Sequence, residues 1–217
     1  PAPTSVTATD GSSPSTVAIS WTKSAGATGY KVYEGSNLIA TLGDVAAFND
    51  DSAAAPTITA GSAVASQGTS SSFVTLSLSG ESANNGTSRT YKVTATNTAG
   101  TSPDSNTDTG YRGHGALTYD WQRSAADSDA SYSTTGGTTD PYNDTGAPAD
   151  GSGRYFKCSL TATGAAGQTS SVSRGYRGAP PAPTSVTATD GSSPSTVAIS
   201  WTKSTGATGY KVYEGSN

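Results

Sequence analysis

The chain has 217 residues, a net charge of −4 and a sequence pI of about 4.8, with 32% hydrophobic and 13% charged residues, the charge replaced by Ser, Thr, Gly and Ala. Lys and Arg are scattered singly, so no basic stripe exists for a phosphate backbone and nucleic acid is excluded as a partner. No apolar run approaches the roughly 20 residues that cross a bilayer, which excludes membrane insertion by a helix of this segment.

Taken in chain order, Pro1-Ala2-Pro3-Thr4 has neither the charged nor the apolar region of an export signal, so a signal for secretion is expected outside this segment. Val17, Ile19 and Trp21 alternate with small polar residues, and Tyr30, Val32 and Glu34 keep the two-residue period of half-buried strands. Ser24 to Thr28 supplies a Gly-containing turn, and Gly35-Ser36-Asn37 another. Thr57-Ile58-Thr59 and Phe73 to Leu78 read as two further strands. Tyr91, Val93, Ala95 and Asn97 alternate up to Thr98-Ala99-Gly100, and a polar strand-like stretch runs from Ser102 to Gly110. Leu117 to Arg123 and Gly153 to Leu160 begin and close a later β unit. No segment carries a sustained helical period with caps, so the expected fold is all-β. The clustering and alternation of the apolar residues set the chain apart from disordered sequences of similar polarity.

An internal repeat organises the whole. Residues 1–37 recur as residues 181–217 with one change, Ala25 becoming Thr205, a period of 180 residues. About 40 residues without disulfides or metal seldom sustain a core. Residues 179–217 are therefore expected to be a linker and the first strands of a further module in a tandem array.

The succession PTSVTATD, TVAISWTKS with Trp21, TGYKVYEGS and TYKVTATNTAGTSPDSN resembles a fibronectin type III domain. Against that family there is an excess of about 30 residues, from Thr57 to Asn85, where a short turn is usual. The Tyr119-Asp120-Trp121-Gln122 strand, followed later by Phe156 two residues before Cys158, resembles an immunoglobulin-like domain. The usual first cysteine of that family is missing, its place filled by Val74 or Leu76. The later unit lacks its first two strands, while the fibronectin-like unit has two too many. These counts fit interleaving: a fibronectin type III-like sandwich from 1–56 plus 86–112, and an immunoglobulin-like sandwich from 57–85 plus 113–178. Three small units in simple succession are the alternative. Each sandwich ends in the same tetrapeptide, Gly110-Tyr111-Arg112-Gly113 and Gly175-Tyr176-Arg177-Gly178. Tyr111, Arg112, Tyr176 and Arg177 are expected at inter-domain junctions, with each Arg bonding carbonyls or stacking on an aromatic.

No catalytic constellation emerges. His114 is the only histidine and lies between two glycines, while Cys158, the only cysteine, falls at an inward strand position where a thiol behaves as a small apolar group. No cofactor motif is present. Two such residues cannot close a zinc site. Asn49, Asp50 and Asp51 are weak candidates for calcium, though Asp and Asn in turns also serve the local backbone. The glutamates Glu34, Glu81 and Glu214 suggest no facing pair. Asn85 and Asn143 head glycosylation sequons expected in turns.

The chain is therefore expected to be a non-catalytic structural module of an extracellular filament, a stalk or a giant surface adhesin. Its partners would be adjacent repeats and neighbouring copies in a fibre. The alternatives are a module binding a glycan or protein ligand, with Tyr132 and Tyr142 as exposed contacts, and a spacer for an enzyme elsewhere on the chain.

Overall fold

In the computed structural model residues 1–215 are described, and none of them is helical. The first strands are β1 (Thr4–Ala8), β2 (Val17–Thr22), β3 (Gly29–Glu34), β4 (Asn37–Leu42), β5 (Ala47–Asp50), β6 (Thr57–Thr59), β7 (Ser62–Ala65) and β8 (Val74–Ser79). They continue with β9 (Ser82–Asn84), β10 (Arg89–Asn97), β11 (Gly100–Thr101), β12 (Asp108–Gly110), β13 (Thr118–Ser124) and β14 (Tyr132–Thr134). The last are β15 (Tyr142–Asp144), β16 (Arg154–Ala162), β17 (Ala165–Thr169), β18 (Ser173–Gly175), β19 (Thr184–Ala188) and β20 (Ile199–Thr202).

The chain divides into two compact units. One comprises Pro1–Thr59, Ser82–Thr118 and Leu160–Gln168; the other comprises Ala60–Glu81, Tyr119–Ser159 and Thr169 onward. The sequence expectation placed the divisions at 56, 85 and 112. The structure moves the first two inward because β6 and β9 pair with each other, Ile58 opposite Ala83, and form a small two-stranded sheet of the first unit. It also counts residues 160–168 with the first unit, where a Cβ on Gly164 would lie 2.4 Å from Pro14 Cβ.

The first unit is a sandwich of a three-stranded sheet, β1-β2-β5, and a second sheet ordered β11-β10-β3-β4 with β12 also on β10. Alternation puts Val17, Ile19 and Trp21 of β2 on the buried face and Ala18, Ser20 and Thr22 outside. Facing them, Tyr30 and Val32 of β3 and Tyr91, Val93 and Ala95 of β10 complete one apolar cluster with Val6 and Ala53. Trp21 and Tyr30 meet with ring centroids 5.4 Å apart and planes tilted by 50°. Each large side chain sealed in this way contributes about 1.5–3 kcal/mol. β1 carries a bulge between Thr4 and Thr7, where Ser5 adopts φ 53°.

The second unit repeats this pairing order. Its three-stranded sheet is β7-β8-β15, and its other sheet runs β14-β13-β16-β17 with β18 on β16, although residues 160–168 of that sheet are grouped with the first unit. Val74, Leu76 and Leu78 of β8 alternate inward, as do Phe156, Cys158 and Leu160 of β16, and Trp121 is fully buried. In both sandwiches the fourth strand pairs with the third, and the fifth joins the three-stranded sheet. The difference expected from the sequence between a fibronectin-like and an immunoglobulin-like unit is therefore one of residues, since the strand order is shared.

The second copy of the repeated sequence keeps the hairpin and turn of the first, while residues 209–214, the counterpart of β3, form no strand. β19 pairs β20 with Thr184 opposite Thr202, Thr187 opposite Ser200 and Ala188 opposite Ile199, the register of β1 on β2, including the bulge and a positive φ of 51° at Ser185. Trp201 and Tyr210 meet at 5.3 Å. The packing differs: Val186, Val197, Ile199 and Val212 are 62%, 65%, 44% and 57% exposed, whereas Val6, Val17, Ile19 and Val32 are at 3% or less.

Candidate functional site

The two Gly-Tyr-Arg-Gly segments occupy the same place in their own units. The Tyr111 N–H donates to Thr9 O at 3.1 Å, Gly11 N–H to Tyr111 O at 2.9 Å, and Gly113 N–H to Ser13 O at 3.0 Å. In the second unit Tyr176 N–H donates to Ser66 O, Gly68 N–H to Tyr176 O and Gly178 N–H to Ser70 O. Glycine is required at Gly110 and Gly175, because a Cβ there would sit 2.7 Å from Val17 Cγ1 and 2.7 Å from Ala65 Cβ, respectively.

Arg112 acts as a clasp inside the first unit. Its Nε donates to Pro14 O at 3.0 Å and its Nη1 to Ala53 O at 2.8 Å, with Asp51 O at 3.4 Å, while its own carbonyl accepts the Gly86 N–H at 2.8 Å. A Cβ on Gly86 would fall 2.0 Å from Ala54 O, so only glycine lets these three passes of chain converge. Arg177 reaches Thr145 O in the second unit, but its buried Nε has no partner among the described residues. The carbonyls that Arg112 and Arg177 hold belong to their own units. Arg174 stacks near Tyr176, 5.7 Å from the ring centroid, and pairs with the exposed Asp127. That hydrogen bond holds the Asp127 carboxyl below the usual range.

The calcium candidates separate. Strand alternation leaves Asn49 exposed and buries Asp50 at 2%, and Asp51 points to solvent. The Asp50 carboxylate accepts Tyr91 Oη–H at 2.9 Å, Ser52 N–H at 2.9 Å and Ser52 Oγ–H at 2.6 Å. Burial, followed by this bond to Asp50, pushes the Tyr91 hydroxyl pKa well above its ordinary value. Asp144 is the counterpart in the second unit: it is 1% exposed, receives both of its oxygen contacts from Arg123 Nη1 at 2.8 and 2.6 Å, and accepts Gly146 N–H at 2.9 Å. These aspartates are structural hubs of the turns after β5 and β15. Among the described residues, no group of three or more His, Cys, Asp or Glu converges as a metal site would require.

His114 is exposed, its backbone N–H donating to Asn85 Oδ1 at 3.3 Å and its Nδ1 lying 2.8 Å from Gly115 O. Cys158 is fully buried, and desolvation pushes its thiol pKa up to about 11, which disfavours the reactive thiolate. Asn85 is exposed in the loop after β9. Asn143 departs from expectation: it is exposed but lies in the middle of β15, with its Oδ1 accepting Thr75 Oγ1–H at 3.0 Å. Tyr132 and Tyr142, expected as exposed contacts, are half-buried. Tyr132 donates to Asp129 and lies under Lys157 Nζ, 4.1 Å from the ring centroid; Tyr142 donates to Thr135 O at 3.2 Å and covers Gly137.

Sequence reasoning gave the turn at Ser204–Ala207 through the repeat but missed its seat on the loop between β7 and β8. Ser71 Oγ–H donates to Thr205 O at 2.8 Å, and a Cβ on Gly206 would sit 2.3 Å from Ser71 O.

No protein-family model matches the chain. No curated protein matches it either. Among solved structures it is similar to the FN1–FN3 domains of chicken CNTN1, at 11% identity over 93% of this chain and 76% of that one, with a TM-score of 0.30, too low for any inference about function.

Proposed function

We propose that this chain is a non-catalytic structural module of an extracellular or cell-surface array, filament or stalk, in which β-sandwiches follow one another along a 180-residue repeat. The observation that carries this reading is the open apolar face of the second copy. Val186, Ile199 and Val212 stand exposed in a geometry whose first-copy equivalents, Val6, Ile19 and Val32, are sealed by β5 and β10. Apolar surface of this kind is costly in water, and covering strands like those that seal the first copy would remove that cost.

The threading of the chain supports a mechanical role. The chain leaves the first compact unit after residue 59, returns to it at residue 82 and leaves it again after residue 118, which supports reading the fibronectin-like and immunoglobulin-like units as interleaved. Units joined by several passes resist independent rotation more than beads on a single linker. The partners in this reading are adjacent repeats and neighbouring copies in a fibre. The glycan- or protein-binding alternative rested on Tyr132 and Tyr142, whose hydroxyls are engaged within the fold.

The test is imaging of a chain carrying several consecutive repeats. Stiff rods of uniform width support the proposal; separate globules on flexible tethers contradict it.

A further inference from the structure

One turn is present twice in this chain and is seated only once. Residues 24–27 are Ser-Ala-Gly-Ala and residues 204–207 are Ser-Thr-Gly-Ala. Both close with the same bond, Ala27 N–H to Ser24 O and Ala207 N–H to Ser204 O at 3.2 Å each. In both the central glycine is left-handed, with φ 77° at Gly26 and 80° at Gly206. Both are braced by the following tyrosine: Ser24 N–H donates to Tyr30 Oη, and Ser204 N–H to Tyr210 Oη.

Their surroundings differ. The turn at 204–207 rests on the loop between β7 and β8, through Ser71 Oγ–H to Thr205 O and the close approach of Gly206 to Ser71 O. At the turn of residues 24–27, a Cβ on Gly26 would find no atom within 4 Å, and Ala25 is exposed. The hydrogen-bond acceptor used at position 205 is a backbone carbonyl, so the change from Ala25 to Thr205 leaves the recognition element unaltered. Beside the open turn, Asn97 Nδ2–H donates to Gly26 O at 3.0 Å, which fixes the turn against the β10–β11 corner.

We infer that the Ser24–Ala27 turn is a docking surface for a second copy of this chain, which it receives through that copy's Ser70–Ser72 loop. The association is head to tail: one copy offers the turn and the other the loop, so the two patches differ and the contact propagates rather than closing. The donor is the serine hydroxyl, the acceptor is the carbonyl of residue 25, and glycine at 26 provides the space. This rests on the array reading, for it makes the seated turn at 204–207 an example of the contact between successive repeats.

The experiment mixes two full-length variants under oxidising conditions. One carries Ser71→Cys with Gly206→Val, the valine lifting that chain's own turn off the loop; the other carries Ala25→Cys. The mixed disulfide is expected to exceed, by about tenfold, that formed when Ala25→Cys is replaced by Ser15→Cys, a ratio equivalent to about 1.4 kcal/mol of docking preference. Cross-linking no greater than in the Ser15→Cys mixture overturns the inference. A single chain with Ser71→Cys and Thr205→Cys is expected to cross-link to itself, and failure to do so overturns the inference as well, by removing the seating on which it is built. Neither failure bears on whether added strands cover Val186 and Ile199, so the array reading is tested separately.

Discussion

Ile19 and Ile199 hold the same position in the same strand register, opposite Ala8 and Ala188, yet Ile19 is fully buried and Ile199 is 44% exposed. Local sequence therefore specifies the bulged hairpin, while burial needs strands from farther along the repeat. An isolated two-stranded hairpin is marginally stable at best.

The Asp50–Tyr91 bond joins the two sheets of the first unit. Tyr91→Phe removes the donor and leaves Asp50 buried with an oxygen that has lost a partner, a cost of about 1–3 kcal/mol. Urea denaturation followed by tryptophan fluorescence is expected to show this loss with an unchanged slope. A variant as stable as the parent would mean that the bond contributes nothing.

Arg112 ties Pro14, Asp51 and Ala53 together, whereas Arg177 has one carbonyl partner. Arg112→Ala is expected to cost roughly 2–3 kcal/mol, more than Arg177→Ala. Arg112→Lys restores little, because an ammonium cannot span carbonyls arranged for a planar fork. Equal losses in the two alanine variants would refute the clasp.

Asp140 titrates in an unfavourable setting. Burial raises its pKa, Glu81 alongside raises it further, and the Leu78 N–H donated to its Oδ1 at 3.0 Å opposes them. A carboxyl whose folded pKa lies above its unfolded value contributes stability that is complete below the unfolded pKa and is lost as pH rises through the folded one. Asp140→Asn keeps an acceptor for Leu78 and removes the charge. Its Tm is expected to match the parent in acid and exceed it at neutral pH, with the parent's decline between those limits flattened. A deficit at neutral pH would show that the charged form is the favoured one.

Cys158 reports on opening of the second unit. Its full burial and raised pKa predict no reaction with a thiol reagent in the folded chain and complete reaction of one thiol in denaturant. Rapid labelling under native conditions would contradict the packing of β16.

Much of this fold is legible in the sequence. Alternation marked β2, β3, β8, β10, β13 and β16, and the paired Gly-Tyr-Arg-Gly segments marked two equivalent strand ends. β4 was hidden because Asn37-Leu38-Ile39-Ala40 pairs with β3 as an edge strand and has no clean alternation, its burial pattern being mostly intermediate or exposed. The shared strand order was masked by Trp121 and Cys158, which suggested a different sandwich, although strand order is set by pairing partners that are distant in sequence. Asp50 looked like a turn ligand because its alternate role, accepting from Tyr91, depends on a residue 41 positions away. The seated turn at Ser204–Ala207 is a contact across 134 positions, beyond any local pattern.

The most direct test of the array is hydrogen exchange at the amides of β19 and β20, compared between this chain and one extended after Asn217 by a copy of residues 38–112. Near-unprotected exchange is expected in the former and slowing by at least roughly two orders of magnitude in the latter, as Val186 and Ile199 become covered. Equal exchange in both chains would contradict the array reading.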